Sequence, residues 1–413
     1  MEPHVVIVGG GLGGLNAAKA LRRAPVRVTL FDRNNFHLLQ ALLYQVATAV
    51  LSAGDIAWPI RWIFSRQSNV RVLMGEVRRI DLTGHVVSLD DEDVSYDYLI
   101  VATGVIDTYF GHPEWAALAP GLKTLDDALE IRRRVLSAFE IAERAHDETT
   151  RRRLLTFAVV GGGPTGVELA GALAEIAHQS LAHDFRTIDP KSARVILIEA
   201  LPSILPSFPE SLRRAARSAL AKLGVEVREA TKVEAVEPGC VVVTGDRIEA
   251  ATVLWAAGVK GSPLGASLGV PLDRGGRVIV NPDLTVAGHP EVFVVGDLAA
   301  FTDDQGRPLP AVAQVAIQGG THAARNLIRE LRGAPLEPFR YVNLGSMATI
   351  GRHAAVVDLG WLRLSGFAAW LLWLFVHLRV LVGFRNRNVV LFEWIWTYLT
   401  KQRGARLIRG SGG

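Results

Sequence analysis

An α/β chain with two Rossmann-like units and a helical carboxy-terminal region is predicted by three stretches of the 413-residue sequence. Two are strand–glycine–helix passages, "HVVIVGGGLGGLNAAKAL" near the start and "LLTFAVVGGGPTGVELAGALAEIA" from Leu154 onward. The third is "GFAAWLLWLFVHLRVLVGF", residues 366–384, where His377 and Arg379 are the only strongly polar groups. The length allows two or three separate cores. The composition, 49% hydrophobic and 21% charged, is that of a globular protein.

In the first unit Val5–Val8 is a β-branched run that reads as a buried strand. Gly9, Gly11 and Gly14 follow with the spacing GxGxxG, and Leu12 and Gly13 open an apolar helix. The first glycine permits a tight turn, the second lets a pyrophosphate approach the backbone, and the third lets helix pack on strand. "VRVTLFDR" is the next strand and ends in Asp32, with Arg33 beside it. A carboxylate there accepts hydrogen bonds from ribose hydroxyls. The second unit repeats the spacing with Gly161, Gly163 and Gly166, Pro164 and Thr165 opening the helix. Its second strand, "ARVILIEA", ends in Glu199, and the polar "HQSLAHDFRTIDPKSA" before it reads as an insertion. Glu199 favours NAD over NADP, because a 2′-phosphate would meet a like charge.

Between and after these units lie "RRIDLTGHVVSLDDEDVS", a meander of short strands, and "YDYLIVATG", with Ala102, Thr103 and Gly104. "TVLWAAGV", with Ala256, Ala257 and Gly258, and "HPEVFVVGDLAAF", with Gly296 and Asp297, come later. This ordered set resembles the two-dinucleotide flavoprotein reductases. The resemblance implies FAD in the first unit, held by Gly9, Gly11, Leu12, Gly13, Gly14, Asp32, Arg33, Val77, Ala102, Thr103, Gly104, Gly296, Asp297, Ala313 and Gln314. It implies NAD in the second, held by Gly161, Gly163, Pro164, Thr165, Gly166, Glu168, Glu199, Ala257 and Gly258. The expected domains are 1–112 with 288–345 for FAD, 113–287 for NAD(H), and 346–413 for membrane anchoring and dimerisation. Cys240 is the only cysteine, so reductases working through a cysteine pair are excluded, and no metal site is expected.

"LPAVAQVAIQGGTHAARNL" places Gln314 and Gln318 four apart, on one helix face with Ala313 and Ile317 near it. Ala313, Ala316 and Gly319 are small enough for a flat ring to approach, and two amides suit quinone carbonyls. A helix packing under a cofactor with incidental glutamines reads equally well. "FHLLQALLYQVATAVLS", "VVGGGPTGVELAGALAE", "AQVAIQGG", "MATIGRHAAVVDL" and "FRNRNVVLFEWIWTYLTKQRGARLI" together resemble the type II, non-proton-pumping NADH:quinone oxidoreductases from end to end. The resemblance implies hydride transfer from NADH to flavin and two electrons onward to a membrane quinone. It implies a quinone site at Gln314, Ala316, Ile317 and Gln318, and a place near flavin and nicotinamide for Glu168. Glu168 then either relays a proton or bonds the nicotinamide ribose, and His37 is read as structural. Ala41 and Ala49 stand where the family more often has proline and glycine.

The tail carries the charge. From Trp361 onward eight Lys/Arg face one acid, Glu393, so this end holds +7 and the preceding 360 residues −3, for the formal net charge of +4. Residues 366–384 are read first as an interfacial helix with Trp361, Trp370 and Trp373 as anchors, and Arg379, Arg385 and Arg387 reaching lipid phosphates, with a core or dimer-interface helix and a transmembrane span as the alternatives. "VVLFEWIWTYLTKQRGARLIRG" is read as a second amphipathic helix, with Trp394, Trp396 and Tyr398. With no signal peptide in "HVVIVGGG", the expectation is a monotopic enzyme on the cytoplasmic face of the cell membrane. Its expected partners are NADH, a membrane quinone, the bilayer surface and a second copy of the chain, with no nucleic acid. The rival reading is a soluble flavoprotein reductase serving a ferredoxin- or rubredoxin-like protein, or a redox-sensing module without turnover.

Overall fold

His4–Val8 is fully walled in, and its alternate residues feed two different cores, as a strand's period of two requires. Val5 and Ile7 join Leu15, Phe293 and Ala323 on one side, while Val6 and Val8 join Val101, Val292 and Val294 on the other. This strand sits inside a six-stranded sheet ordered Thr285–Val286, His289–Val294, Tyr98–Val101, His4–Val8, Arg27–Asp32, Val70–Met74. Every neighbouring pair is parallel except the first. The helix Leu12–Ala20 packs against the helix Ala313–Glu330. The predicted meander is a three-stranded antiparallel sheet, Arg79–Asp81, Val86–Ser88 and Asp93–Ser95.

The computed structural model describes residues 2–303 and 306–408. They form two compact units: Met1–Leu38, Ala57–Ile106 and Val259–Leu344 in the first, and Leu39–Ile56, Asp107–Gly258 and Gly345–Gly413 in the second. This division differs from the boundaries read from the sequence in four places, one of them being residues 107–112, which go with the second unit. Residues 259–287 go with the first unit because Thr285–Val286 pairs with His289–Val294. Leu39–Ile56 goes with the second because its helix Leu43–Ala47 packs on the helices Leu125–Arg144 and Pro164–Glu175. The carboxy-terminal region is part of the second unit.

The second unit holds a parallel sheet ordered Val225–Arg228, Arg194–Ile198, Thr156–Val160, Thr252–Trp255. The helix Pro164–Glu175 continues as a single π turn, Ile176–Ser180, and the rest of the polar insertion is irregular up to Pro190–Ser192. Thr124 caps the helix Leu125–Arg144 reciprocally with Asp127, which satisfies two end N–H groups. Ala49 is buried at φ +60°, the left-handed region where a Cβ is costly. A glycine there would carry no such strain.

The tail differs from its sequence reading. The first tail helix, Phe367–Val380, has 14 residues and stops before residue 384. The second, Phe384–Thr400, follows Gly383, which sits at φ +91°. It ends at Thr400 with Lys401 left-handed, so residues 401–408 are a non-helical strap and not a helical extension. Among the described residues no helix is long and apolar enough to cross a membrane. Trp373 and Trp394 are buried at 2% and 7% exposure, so neither is a lipid anchor. Apolar periodicity is the same whether a face meets lipid or the protein's own core. Trp361, Phe375, Phe392, Ile395, Trp396 and Leu399 are among the exposed ones.

Candidate active site

The first cradle is set by backbone clearance. A Cβ on Gly14 would lie 1.9 Å from the Gly9 carbonyl oxygen, so only glycine lets the helix close on the turn. A Cβ on Gly11, by contrast, would meet nothing within 4 Å, leaving open space over the helix N-terminus. Asp32 accepts the Gly10 N–H at 2.6 Å and the Asn34 N–H at 2.7 Å, fixing the carboxylate beside that space. Burial raises its pKa, and the Asn34 and Gly10 N–H groups and the charge of Arg33 pull the other way. Arg33 itself is exposed, and Leu12 and Gly13 line the helix start. His37 Nδ1 lies 2.9 Å from the Gly10 carbonyl, and burial lowers the ring's pKa, so it is a neutral donor bracing the loop. Ala102, Thr103 and Gly104 follow the strand Tyr98–Val101, Ala102 against Gly9, and the Thr103 hydroxyl is buried without a partner. Gly296 and Asp297 begin a single 3₁₀ turn after the strand His289–Val294. Val77 buries its side chain among Ile80, Leu82 and Val87, so what it offers a ligand is backbone. Open space at a helix N-terminus, a fixed acid and an unpaired hydroxyl fit an adenine dinucleotide.

The second cradle repeats this within its own unit. A Cβ on Gly166 would lie 1.8 Å from the Gly161 carbonyl oxygen, and one on Gly163 would meet nothing within 4 Å. Pro164 and Thr165 are exposed at the helix start. Glu199 accepts the Gly162 N–H at 2.6 Å and the Leu201 N–H at 2.7 Å, as Asp32 does in the first. Ala257 and Gly258 follow the strand Thr252–Trp255, and Gly258 packs beside Phe110.

Glu168 lies in the helix's second turn, where its Oε1 accepts the Thr349 N–H at 3.3 Å. Burial pushes its pKa up to about 8, while the Thr349 N–H and the Trp373 indole pull downward. It is therefore a protonated acid at neutral pH. Between its ordinary 4.5 and about 8, the folded chain keeps a proton here that the unfolded chain has released. Stability is thus lost as pH rises through that window. In urea unfolding, Glu168→Gln should lie close to the wild type at pH 4 and gain on it as pH rises, by about 3–5 kcal/mol at pH 8.5. Parallel pH profiles would show that the carboxyl is already ionised in the fold.

The helix Ala313–Glu330 carries Gln314 and Gln318 on one face, as the spacing implies, with Ala313, Ala316 and Ile317 around them. The Gln318 amide and the Gln314 carbonyl oxygen, however, are turned to backbone. Gln318 Nε2 donates to the Val342 carbonyl at 2.8 Å and its Oε1 accepts the Val342 N–H at 2.9 Å. Gln314 Oε1 accepts the Leu344 N–H at 2.8 Å.

Sequence reasoning missed a small cleft of about 60 Å³ in the second unit, lined by Tyr44, Gln45, Trp370, Trp373, Trp394 and Arg403 among others. Trp394 Nε1 donates to Gln45 Oε1 at 2.7 Å, and the Trp370 and Tyr398 rings stack at 5.7 Å. Its floor is a buried ion cluster. Arg403 donates to the Thr48 carbonyl at 2.6 Å and to Glu175 at 3.3 Å, while Arg352 N–H reaches Glu175 at 2.7 Å. Aromatic walls over a polar floor suit a flat, uncharged ring. The "LYQVATAV" stretch, quoted above only for its family likeness, supplies Tyr44 and Gln45, and Arg403 was one arginine among eight basic residues.

Residues 3–320 match the family model described as pyridine nucleotide-disulphide oxidoreductase, and residues 343–402 match the NDH2 C-terminal domain. The chain is 50% identical, over 98% of its length and 89% of the other's, to type II NADH:quinone oxidoreductase NdhA of Mycobacterium tuberculosis. It is 32% identical, over 85% of its length and 88% of the other's, to the type II NADH:quinone oxidoreductase of Staphylococcus haemolyticus. Its fold is similar to that of NDH2 from Plasmodium falciparum in complex with NADH, with a TM-score of 0.91 at 20% identity over 99% of this chain and 100% of that one. On these identities and spans, the chain belongs to the type II NADH:quinone oxidoreductases.

Proposed function

We propose that the protein oxidises NADH and reduces a membrane quinone, with FAD in the first cradle and NAD(H) in the second. The observation that carries this is the doubled cradle, each with a clear glycine over a helix N-terminus and a fixed acid beside it. A bound flavin supplies the two-electron chemistry. The chain's own groups bind and orient. The helix N-termini at Leu12 and Pro164 hold the pyrophosphates, and Asp32 and Glu199 take ribose hydroxyls. Glu199 at the second site selects NADH over NADPH.

NADH releases two electrons and one proton on oxidation, while a quinone takes two of each, so one proton per turnover must come from elsewhere. Glu168, protonated at neutral pH, can pass that proton on from solvent or hold the nicotinamide ribose. Phe375, Phe392, Ile395 and Leu399 are exposed on helices too short to cross a bilayer, and Arg379 and Arg385 are exposed beside them. This supports docking on the cytoplasmic face of the membrane, with a second copy of the chain paired through the tail.

Purified protein should be yellow and should reduce several quinones with NADH, far faster than with NADPH. Reduction of a ferredoxin- or rubredoxin-like protein with no quinone turnover would favour the soluble-reductase reading instead.

A further inference from the structure

Three positions on one face of the helix Pro164–Glu175 grip a single short segment. Gly171 and Glu175 lie three and seven residues after Glu168, which lines all three up over two turns. Thr349 N–H donates to Glu168 Oε1 at 3.3 Å, and Arg352 N–H donates to Glu175 Oε1 at 2.7 Å. Between the two carboxyls, a Cβ on Gly171 would lie 3.3 Å from the Gly351 nitrogen, so the segment rests on bare helix backbone. Gly351 is at φ +78°, and a Cβ there would come 2.7 Å from Glu175 Oε1. The turn therefore fits under the carboxylate only as glycine.

The two bonds are unequal. The one to Glu168 is long for an N–H···O contact. The one to Glu175 is short and ends on a carboxylate that Arg403 also holds, at 3.3 Å. The firm anchor thus sits two turns away from Glu168. We propose that Glu175 is a positioning residue, which holds Arg352 and the Gly351 turn on the helix and so keeps the Thr349 N–H on Glu168. The proposal rests on the proton-delivery reading of Glu168 above and deepens it by naming what holds its partner in place.

An N–H given to a carboxyl favours the ionised form. Burial raises the Glu168 pKa to about 8, and the Thr349 N–H restrains that rise. The Trp373 indole and the Tyr44 phenol also flank the group, and neither is charged at pH 7. With the clasp released, Glu168 should keep its proton to higher pH.

The test follows Glu168 directly in purified, flavin-loaded, full-length enzyme. Its protonated carboxyl is read by the infrared C=O stretch that disappears in Glu168→Gln. Glu175→Asp keeps the negative charge but withdraws it by one methylene, beyond reach of the Arg352 N–H. The Glu168 titration should then move up by about 0.5–1 pH unit, the size of one lost hydrogen bond. Gly351→Ala displaces the same turn from its other side and should give the same shift. Combined with Glu175→Asp it should add nothing, because both act through one clasp. The high-pH limb of quinone turnover should move with the infrared titration. Lower melting temperatures with an unmoved titration would make Glu175 merely structural and overturn the proposal. A downward shift overturns it too, since water entering a loosened segment would then govern the group. If Glu168→Gln turns over quinone with an unchanged pH profile, the proton-delivery reading fails, while the infrared shift still decides the clasp.

Discussion

Arg403→Ala is expected to cost about 3–5 kcal/mol of stability, the usual penalty for removing one partner of a buried ion pair. Arg403 and Glu175 are 2% and 4% exposed, so no water replaces the lost charge. Burial lowers the Arg403 pKa to about 10, which still leaves it charged at pH 7. The Thr48 carbonyl also loses its 2.6 Å donor. Arg352 continues to hold Glu175 through its N–H at 2.7 Å, which places the cost nearer the lower end. Thermal unfolding should fall by about 5–15 °C, given a unit of this size. The joint replacement Glu175→Met with Arg403→Met should recover much of that loss, since a well-packed apolar pair avoids desolvation altogether. A single variant melting with the wild type would mean that the strap 401–408 contributes nothing to the fold.

The second large effect is on the cradles, where the same substitution should separate the two cofactors. In Gly14→Ala the new methyl would sit 1.9 Å from a carbonyl oxygen of the backbone, and in Gly166→Ala 1.8 Å. No side chain can rotate to relieve either clash, so the glycine turn itself must open, at a cost of about 1–3 kcal/mol or more. Gly14→Ala should be purified largely colourless. Gly166→Ala should keep its yellow colour and lose flavin reduction by NADH by about tenfold or more. Absorbance at purification and a stopped-flow bleach with NADH read the two outcomes. The opposite pattern would exchange the two sites.

How much of this could be read in the sequence depends on where each requirement is encoded. The glycines were legible because the clearance at Gly14 and Gly166 is a backbone constraint that recurs at fixed spacing. Asp32 and Glu199 were legible because a strand end fixes their place relative to those glycines. The amides of Gln314 and Gln318 were placed on the correct helix face, but their partners Val342 and Leu344 lie more than twenty residues on. Trp373 was taken for a lipid anchor and Trp394 for part of an amphipathic surface helix because hydropathy cannot tell a membrane-facing ring from a core one. Arg403 was hidden for the complementary reason. A buried arginine looks like a solvated one until its carboxylate is found 228 residues away.

The first sheet is closed by a strand from the far side of the chain, since Leu99, Ile100 and Val101 pair with Val292, Phe293 and Val294. During synthesis at the ribosome, the strands from the first hundred residues therefore emerge long before their last parallel neighbour. A nascent chain stopped near Gly258 would expose the hydrogen-bonding edge of Tyr98–Val101 to whatever strand came near. Such a product is expected to engage chaperones and not to mature, because parallel pairing over so many residues is slow to form.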